Sequence, residues 1–192
     1  LDEYRTLFIT VTMALILIAS SPTLGFVLTF SGGERFSELW VLGPGHMAED
    51  YPFNVEVGKE YSVYVGVGCH MGGSTYYAVY VKFRNQTQPL PNATANIASP
   101  LPPLYEFQVF IDNGLTWESQ VNFTILDVFS QGNSTFVRFL SINGVVFEVN
   151  STTLWDYGHK GFFYQLFFEL WMYDTAVSSF QYHNRFVGIW LN

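Results

Sequence analysis

Tyr61-Ser62-Val63-Tyr64-Val65-Gly66-Val67 and, a few residues on, Tyr77-Ala78-Val79-Tyr80-Val81-Lys82-Phe83 decide the fold of this chain. In both runs apolar residues recur at every second position. A strand sends alternate side chains to opposite faces, so each run reads as a half-buried β-strand. Tyr61, Val63, Val65 and Val67 form one inward set, and Tyr77, Val79, Val81 and Phe83 form another. Gly68-Cys69-His70-Met71-Gly72-Gly73 between them reads as a turn.

The same period extends outward. Ser37–Leu42 reads as a first strand, Phe107, Val109 and Ile111 alternate with Glu106, Gln108 and Phe110, and Val121, Phe123 and Ile125 alternate with Asn122 and Thr124. Asn143-Gly144 separates Phe136–Ile142 from Val145–Val149, and this dipeptide readily takes the positive φ angles of a tight hairpin. Phe162–Tyr173 and Phe180–Leu191 are the last strands, joined by a polar turn at Asp174-Thr175. Residues 85–103 carry Pro89, Pro91, Pro100, Pro102 and Pro103, which exclude an interior strand and favour an extended crossover. Roughly eight short strands with regular turns and no amphipathic helix predict an all-β, immunoglobulin-like β-sandwich.

The N-terminal region has another character. No charge occurs in the 28 residues between Arg5 and Glu34. Leu7–Phe30 is apolar apart from a Ser20-Ser21-Pro22-Thr23 break, and about 20 such residues as a helix cross a bilayer core. The expected organisation is a transmembrane anchor over residues 1–30 and an extracytoplasmic β-sandwich over residues 31–192. Pro22 lacks an N–H and kinks or ends the regular helix near Ser20. Ala19-Ser20-Ser21 also suits a signal-peptide cleavage site. The β-branched residues of this stretch suit a strand as well, which opens the reading of a tail donated to a neighbour's sheet.

Composition narrows the function. The 192 residues carry a net charge of −8 with only eight Lys and Arg, scattered along the chain. No basic stripe is available for phosphates, so nucleic acid is not an expected partner. Cys69 is the only cysteine, so no disulfide forms within the chain. Asn-X-Ser/Thr triplets occur at Asn85, Asn92, Asn122, Asn133 and Asn150. They read as N-glycosylation acceptors and place the C-terminal domain outside the cytoplasm. Asn122 is expected on the outer side of its strand, Asn133 and Asn150 at strand ends, and Asn85 and Asn92 in the proline-rich loop.

Candidate chemistry is sparse. His46-Met47 and Cys69-His70-Met71 hold soft ligands that suit copper, but Cys69 and His70 are adjacent, which a blue-copper loop does not allow. Asp156 and His159 lack a Gly-x-Ser-x-Gly partner and read as a polar turn. Glu49 and Asp50 diverge on an extended chain and cannot act as paired glycosidase carboxylates. The aromatic C-terminal region (Phe162, Phe163, Tyr164, Phe167, Phe168, Trp171, Tyr173, Phe180, Tyr182, Phe186, Trp190) reads first as a strand buried on both faces and otherwise as an aromatic surface for a subunit or carbohydrate. In Leu42-Gly43-Pro44-Gly45 the glycines are expected to supply positive φ in a tight turn.

Gly33-Glu34-Arg35-Phe36, Leu42-Gly43-Pro44, Ala48-Glu49-Asp50-Tyr51-Pro52, Val55–Glu60 and Val65-Gly66-Val67-Gly68 together form a signature. It resembles archaeal membrane proteins of the DUF1616 family, a domain of unknown function, most densely over residues 31–84. The resemblance implies an archaeal, membrane-tethered, outward-facing β domain and assigns no catalytic residue. His70 fits the family's turn, with Cys69 where that pattern has Asn.

The expected function is therefore a non-enzymatic, N-glycosylated cell-surface protein, single-pass in the cell membrane and working as an assembly or accessory subunit. Its expected partners are the bilayer at residues 7–30, other membrane or surface subunits and N-linked glycans, with no cofactor. The alternatives are a filament subunit joined by N-terminal strand addition and a copper- or carbohydrate-binding protein.

Overall fold

The computed structural model describes residues 4–17 and 34–192. Two compact units divide the chain, at residues 1–35 and 36–192. In the first, residues 4–17 form a helix in which the Thr10 and Thr12 hydroxyls donate to the carbonyls of Thr6 and Phe8, both at 2.7 Å. Leu7, Phe8, Ile9, Val11, Met13, Leu15, Ile16 and Leu17 are all exposed. A helix of this length spans about 21 Å, against about 30 Å of bilayer hydrocarbon. Among the described residues, no helix is long and apolar enough to cross a membrane. The rest of the expected anchor, residues 18–30 with Pro22, lies outside the described residues.

The second unit is a sandwich of two antiparallel sheets. Its strands are β1 (Phe36–Leu42), β2 (Tyr61–His70), β3 (Thr75–Asn85), β4 (Tyr105–Ile111), β5 (Thr116–Gln131), β6 (Ser134–Ile142), β7 (Val145–Leu154), β8 (Tyr164–Asp174) and β9 (Ser179–Leu191). One sheet has the order β1-β2-β5-β6-β7 and the other β4-β3-β8-β9. The alternating residues meet between them: Val63, Val65, Val67, Val121, Phe123, Leu140 and Ile142 from the first, and Tyr77, Val79, Val81, Leu166, Phe168 and Leu170 from the second. Each fully buried side chain of this size contributes about 1.5–3 kcal/mol.

Three expectations change. The segment Gly68–Gly73 is not wholly a turn, because Gly68, Cys69 and His70 continue β2. Gly66 and Gly68 lie under the side chains of Trp40 and Glu38, which a Cβ would strike. Neither glycine of Leu42–Gly45 has positive φ, which falls instead on His46 and Asp50 just after it. Gly43 is needed for close approach instead: a Cβ there would run into the carbonyl of Glu49. Asn150 lies inside β7 rather than at its end, with φ 43°. The β6–β7 register shifts there, opposite Val137 and Phe139. The extra residue of a bulge turns the chain and permits that backbone.

Along its central strands β3 and β8 the four-stranded sheet is covered on both faces. Along β8, Tyr164 through Leu170 are all buried. Phe167 and Glu169 point away from the core between the sheets, as do Lys82 and Arg84 on β3. The proline-rich segment, which forms no strand as expected, lies over them. The Lys82 ammonium meets Glu169 Oε2 at 2.8 Å and donates to the Ser99 carbonyl at 2.9 Å. The Ser99 N–H donates to Glu169 Oε1 at 2.8 Å, and the Trp171 indole to Oε2 at 3.0 Å. Lys82 and Glu169 are at most 2% exposed, so the charges are compensated by each other and by the loop backbone.

Candidate functional site

At the end of the sandwich where β3 and β9 finish and β8 begins, a cleft of about 770 Å³ opens among Phe53, Gln86, Thr87, Asp156, His159, Phe163 and Trp190. These residues come from four separate segments, and local chemistry positions each. Asn192 holds Phe53: its N–H donates to the Phe53 carbonyl at 2.7 Å, and Val55 N donates to the Asn192 carbonyl at 3.0 Å. Asn192 Oδ1 accepts from Phe162 N at 2.9 Å, which fixes the approach to Phe163. Gly161 packs so closely that a Cβ would press into Asn192 and Phe163. The Phe53 and Phe163 rings lie 6.0 Å apart, and His159 meets Phe163 edge-on at 6.1 Å.

Asp156 organises the polar side. Its Oδ1 accepts from Gly158 N at 2.8 Å and His159 N at 3.1 Å, and its Oδ2 faces His159 Nδ1 at 2.9 Å. The hydrogen bond from the His159 side chain, then that from its backbone, holds the carboxyl below its ordinary range. The expected polar turn is therefore present, and it also forms one wall of the cleft. Gln86 Nε2 donates to the Leu154 carbonyl at 3.3 Å, and its Oε1 has no hydrogen-bond partner among the described residues. Behind the cleft the Arg84 guanidinium lies 5.5 Å from the Trp190 ring centre and donates to the carbonyls of Gln86 and Gln88.

A second group joins the edge strands β1 and β9. Ser37 Oγ lies 2.6 Å from the Tyr77 hydroxyl and 3.0 Å from His183 Nε2, while Arg185 Nε donates to the Ser37 carbonyl at 3.3 Å. A serine facing a histidine suggests a nucleophile, but Ser37 is 2% exposed and its hydroxyl is bonded to Tyr77. The group works as a clasp between the sheets. Burial pushes the Tyr77 phenol up to about 12, and burial together with the Arg185 charge lowers the His183 imidazole. Sequence reasoning passed over this group because its members are remote in the chain and lie in ordinary strand positions.

The residues considered for copper separate. Cys69 faces the core, with its thiol 3.5 Å from Thr75 Oγ1 and from the Gly73 carbonyl. His70 faces the other side of the strand, 3.8 Å from Glu38 and stacked on Phe36. His46 stacks on Tyr64 at 3.6 Å and meets Glu118 Oε1 at 2.7 Å, and the Trp40 indole donates to Glu118 Oε2 at 3.3 Å. The Gly-Pro-Gly-His turn is thus fastened to the outer face of the five-stranded sheet. Among the described residues, no three His, Cys, Asp or Glu gather as a metal site.

The sequon asparagines spread over the sandwich. Asn92, Asn133 and Asn150 are exposed, and Asn85 and Asn122 are half-buried. Asn85 Nδ2 donates to the Thr152 carbonyl at 2.7 Å, and its Oδ1 accepts from Thr87 and Gln88. The C-terminal aromatics divide among three places. Tyr164, Phe167, Phe168 and Tyr182 are buried, whereas Phe163 and Trp190 line the cleft. Tyr173 and Phe180 gather on Tyr76 and Phe110 at the far end of the sheet.

Neither the curated proteins nor the solved structures yield a match to this chain. A family model does match, over residues 31–149, from the stretch before β1 into β7. Asp156, His159, Phe163 and Trp190 of the cleft lie beyond the matched residues, as do β8 and β9, which complete the second sheet. With more than half of its length matched, the chain belongs to the family described as Domain of unknown function (DUF1616).

Proposed function

We propose that this protein is a non-enzymatic, N-glycosylated archaeal cell-surface protein, tethered to the membrane through residues 7–30 and acting as an assembly or accessory subunit. The observation that carries the reading is the helix over residues 4–17, which exposes apolar side chains on every side. A helix apolar all round needs apolar surroundings, and the uncharged sequence runs on to Phe30. The exposed sequons at Asn92, Asn133 and Asn150 support an outward-facing sandwich. The sealed Ser37 supports a structural rather than a nucleophilic role for its pairing with His183. We also read the sandwich as immunoglobulin-like: β1-β2-β5 and β3-β8-β9 follow the A-B-E and C-F-G order of that architecture.

The test is fractionation of the native protein followed by glycopeptide mass spectrometry. The expected result is retention in the membrane fraction with glycan on Asn133 and Asn150. Unmodified protein in the cytosol overturns the reading.

A second reading, a filament subunit joined by strand addition, has one observation in its favour. Strand β7 ends the five-stranded sheet with Val145 and Val146 exposed, and an open edge accepts an added strand. It requires residues 7–30 of one copy to lie extended on another, against the helix that residues 4–17 form here, and disulfide trapping between cysteines placed at Thr10 and Val146 separates the two readings.

A further inference from the structure

We propose that the cleft bounded by Phe53, Gln86, His159, Phe163 and Trp190 binds a neutral carbohydrate of more than one ring. The site stands on the sandwich, but Gln86 and Thr87 belong to the Asn85 sequon, so the proposal rests on an unmodified Asn85, whose Nδ2 donates to the Thr152 carbonyl at 2.7 Å. Its volume, about 770 Å³, is that of a cleft able to enclose most of a small ligand. Three aromatic side chains face it. Trp190 is 40% exposed and Phe53 44%, although both sit on a framework held by backbone bonds and by Arg84. Exposed rings held this firmly present flat faces that cost little conformational entropy on binding.

The polar groups select the class of ligand. Among the described residues Gln86 Oε1 and His159 Nε2 have no hydrogen-bond partner, and the Thr87 hydroxyl donates to Asn85 Oδ1 and can still accept. A wholly apolar ligand would strip water from these groups without replacing its hydrogen bonds. Among the described lining residues the one carboxylate, Asp156, already accepts from His159 and two backbone N–H groups, and Arg84 is buried behind Trp190 with bonds to two carbonyls, so the cleft offers a charged ligand little. A sugar meets both demands, with an apolar C–H face for the rings and hydroxyls at its edge for Gln86, Thr87 and His159. Trp190 and Phe163 carry the stacking, and Asn192 is a positioning residue for Phe53 and Phe163.

The experiment uses the full chain, purified in a detergent with no sugar headgroup and titrated with maltose, N,N′-diacetylchitobiose and mannobiose. Tryptophan fluorescence and saturation transfer to the sugar C–H protons are read together. The expected result is a saturable response to at least one disaccharide. Trp190→Ala weakens it by about tenfold or more, the scale of one lost aromatic contact. Trp190→Phe retains part of the response, and Trp171→Phe, outside the cleft, leaves saturation transfer unchanged. Matching unfolding midpoints for Trp190→Phe and the unsubstituted chain show that the sandwich is intact. No transfer to any of the three sugars overturns the proposal. So does a response that survives both Trp190→Ala and Phe163→Ala, or a cleft that takes laurate and ignores the sugars.

Discussion

The outward faces of the two sheets are built on opposite principles. That of the five-stranded sheet is polar along β5, with Gln120, Asn122 and Thr124 exposed or half-buried, and is covered locally where Trp40 and Glu38 lie over Gly66 and Gly68. That of the four-stranded sheet is sealed along β3 and β8 by the proline-rich loop, with Lys82, Glu169 and Phe167 at 2% exposure or less. The first face draws its stability from the core beneath it. The second adds a polar lock whose failure leaves a charge in a dry place. The two faces therefore differ sharply in what a substitution costs.

The largest effect is expected at the lock. Glu169→Ala strands the Lys82 ammonium under the loop and costs about 3–5 kcal/mol in denaturant unfolding, the scale for breaking a buried pair. Replacing both partners, Lys82→Met with Glu169→Leu, costs far less, because no charge remains unpaired. If the single and double replacements cost the same, the loop is held by packing and the contrast between the faces is wrong.

At the covered part of the other face, Gly66→Ala pushes a methyl into the Trp40 indole and costs about 1–3 kcal/mol, with a lost Trp40 fluorescence signature as the second readout. At the edge where the two sheets meet, Ser37→Ala leaves the Tyr77 hydroxyl and His183 Nε2 without their shared partner and costs about 1–3 kcal/mol. The same clasp responds to acid. His183 is lowered in the folded protein, so below the ordinary histidine value of 6.5 the unfolded chain binds more protons than the folded one. Stability then falls as pH drops from 6.5 to the folded value and is level on either side of that window. His183→Gln flattens this part of the pH profile, and an unchanged profile removes His183 from the clasp. The smallest effect is expected on the open face, where Thr124→Ala stays within about 0.5 kcal/mol.

Much of the sandwich was legible because its signal is local. Val63, Val65 and Val67 announce their inward face through a two-residue period that needs no knowledge of their partners. Asn143-Gly144 names its hairpin by its own backbone preference, and both residues have positive φ as that turn requires. The run Phe162–Tyr173 was readable as a strand covered on both sides, and Tyr164–Leu170 is the part of it that is buried throughout. The cover itself was not, since the proline-rich loop that supplies it shows only that it is no strand. One sign was present: Glu169 stands within Phe167-Phe168-Glu169-Leu170-Trp171, and a carboxylate in a twice-buried strand demands a buried cation.

Other features lay beyond any local pattern. The bulge at Asn150 depends on the register against β6, and the roles of Gly43 and Gly66 depend on which atoms approach them from elsewhere. The cleft is the extreme case. Phe53, Gln86, Asp156, Phe163 and Trp190 carry no shared spacing, and only the return of β9 to the segment around Phe53 brings them together.

What the sequence by itself determined is the class of structure, the positions of most strands, the inward face of each and the uncharged character of the N-terminal stretch. These follow from side-chain period, turn chemistry and hydropathy, which act between neighbours in the chain. Only the tertiary structure decided which outward face is sealed, which cation answers Glu169, that Ser37 is closed off behind Tyr77, and that an aromatic cleft exists. Each of those depends on contacts between residues far apart in sequence, whose energies arise when packing removes water from both partners at once.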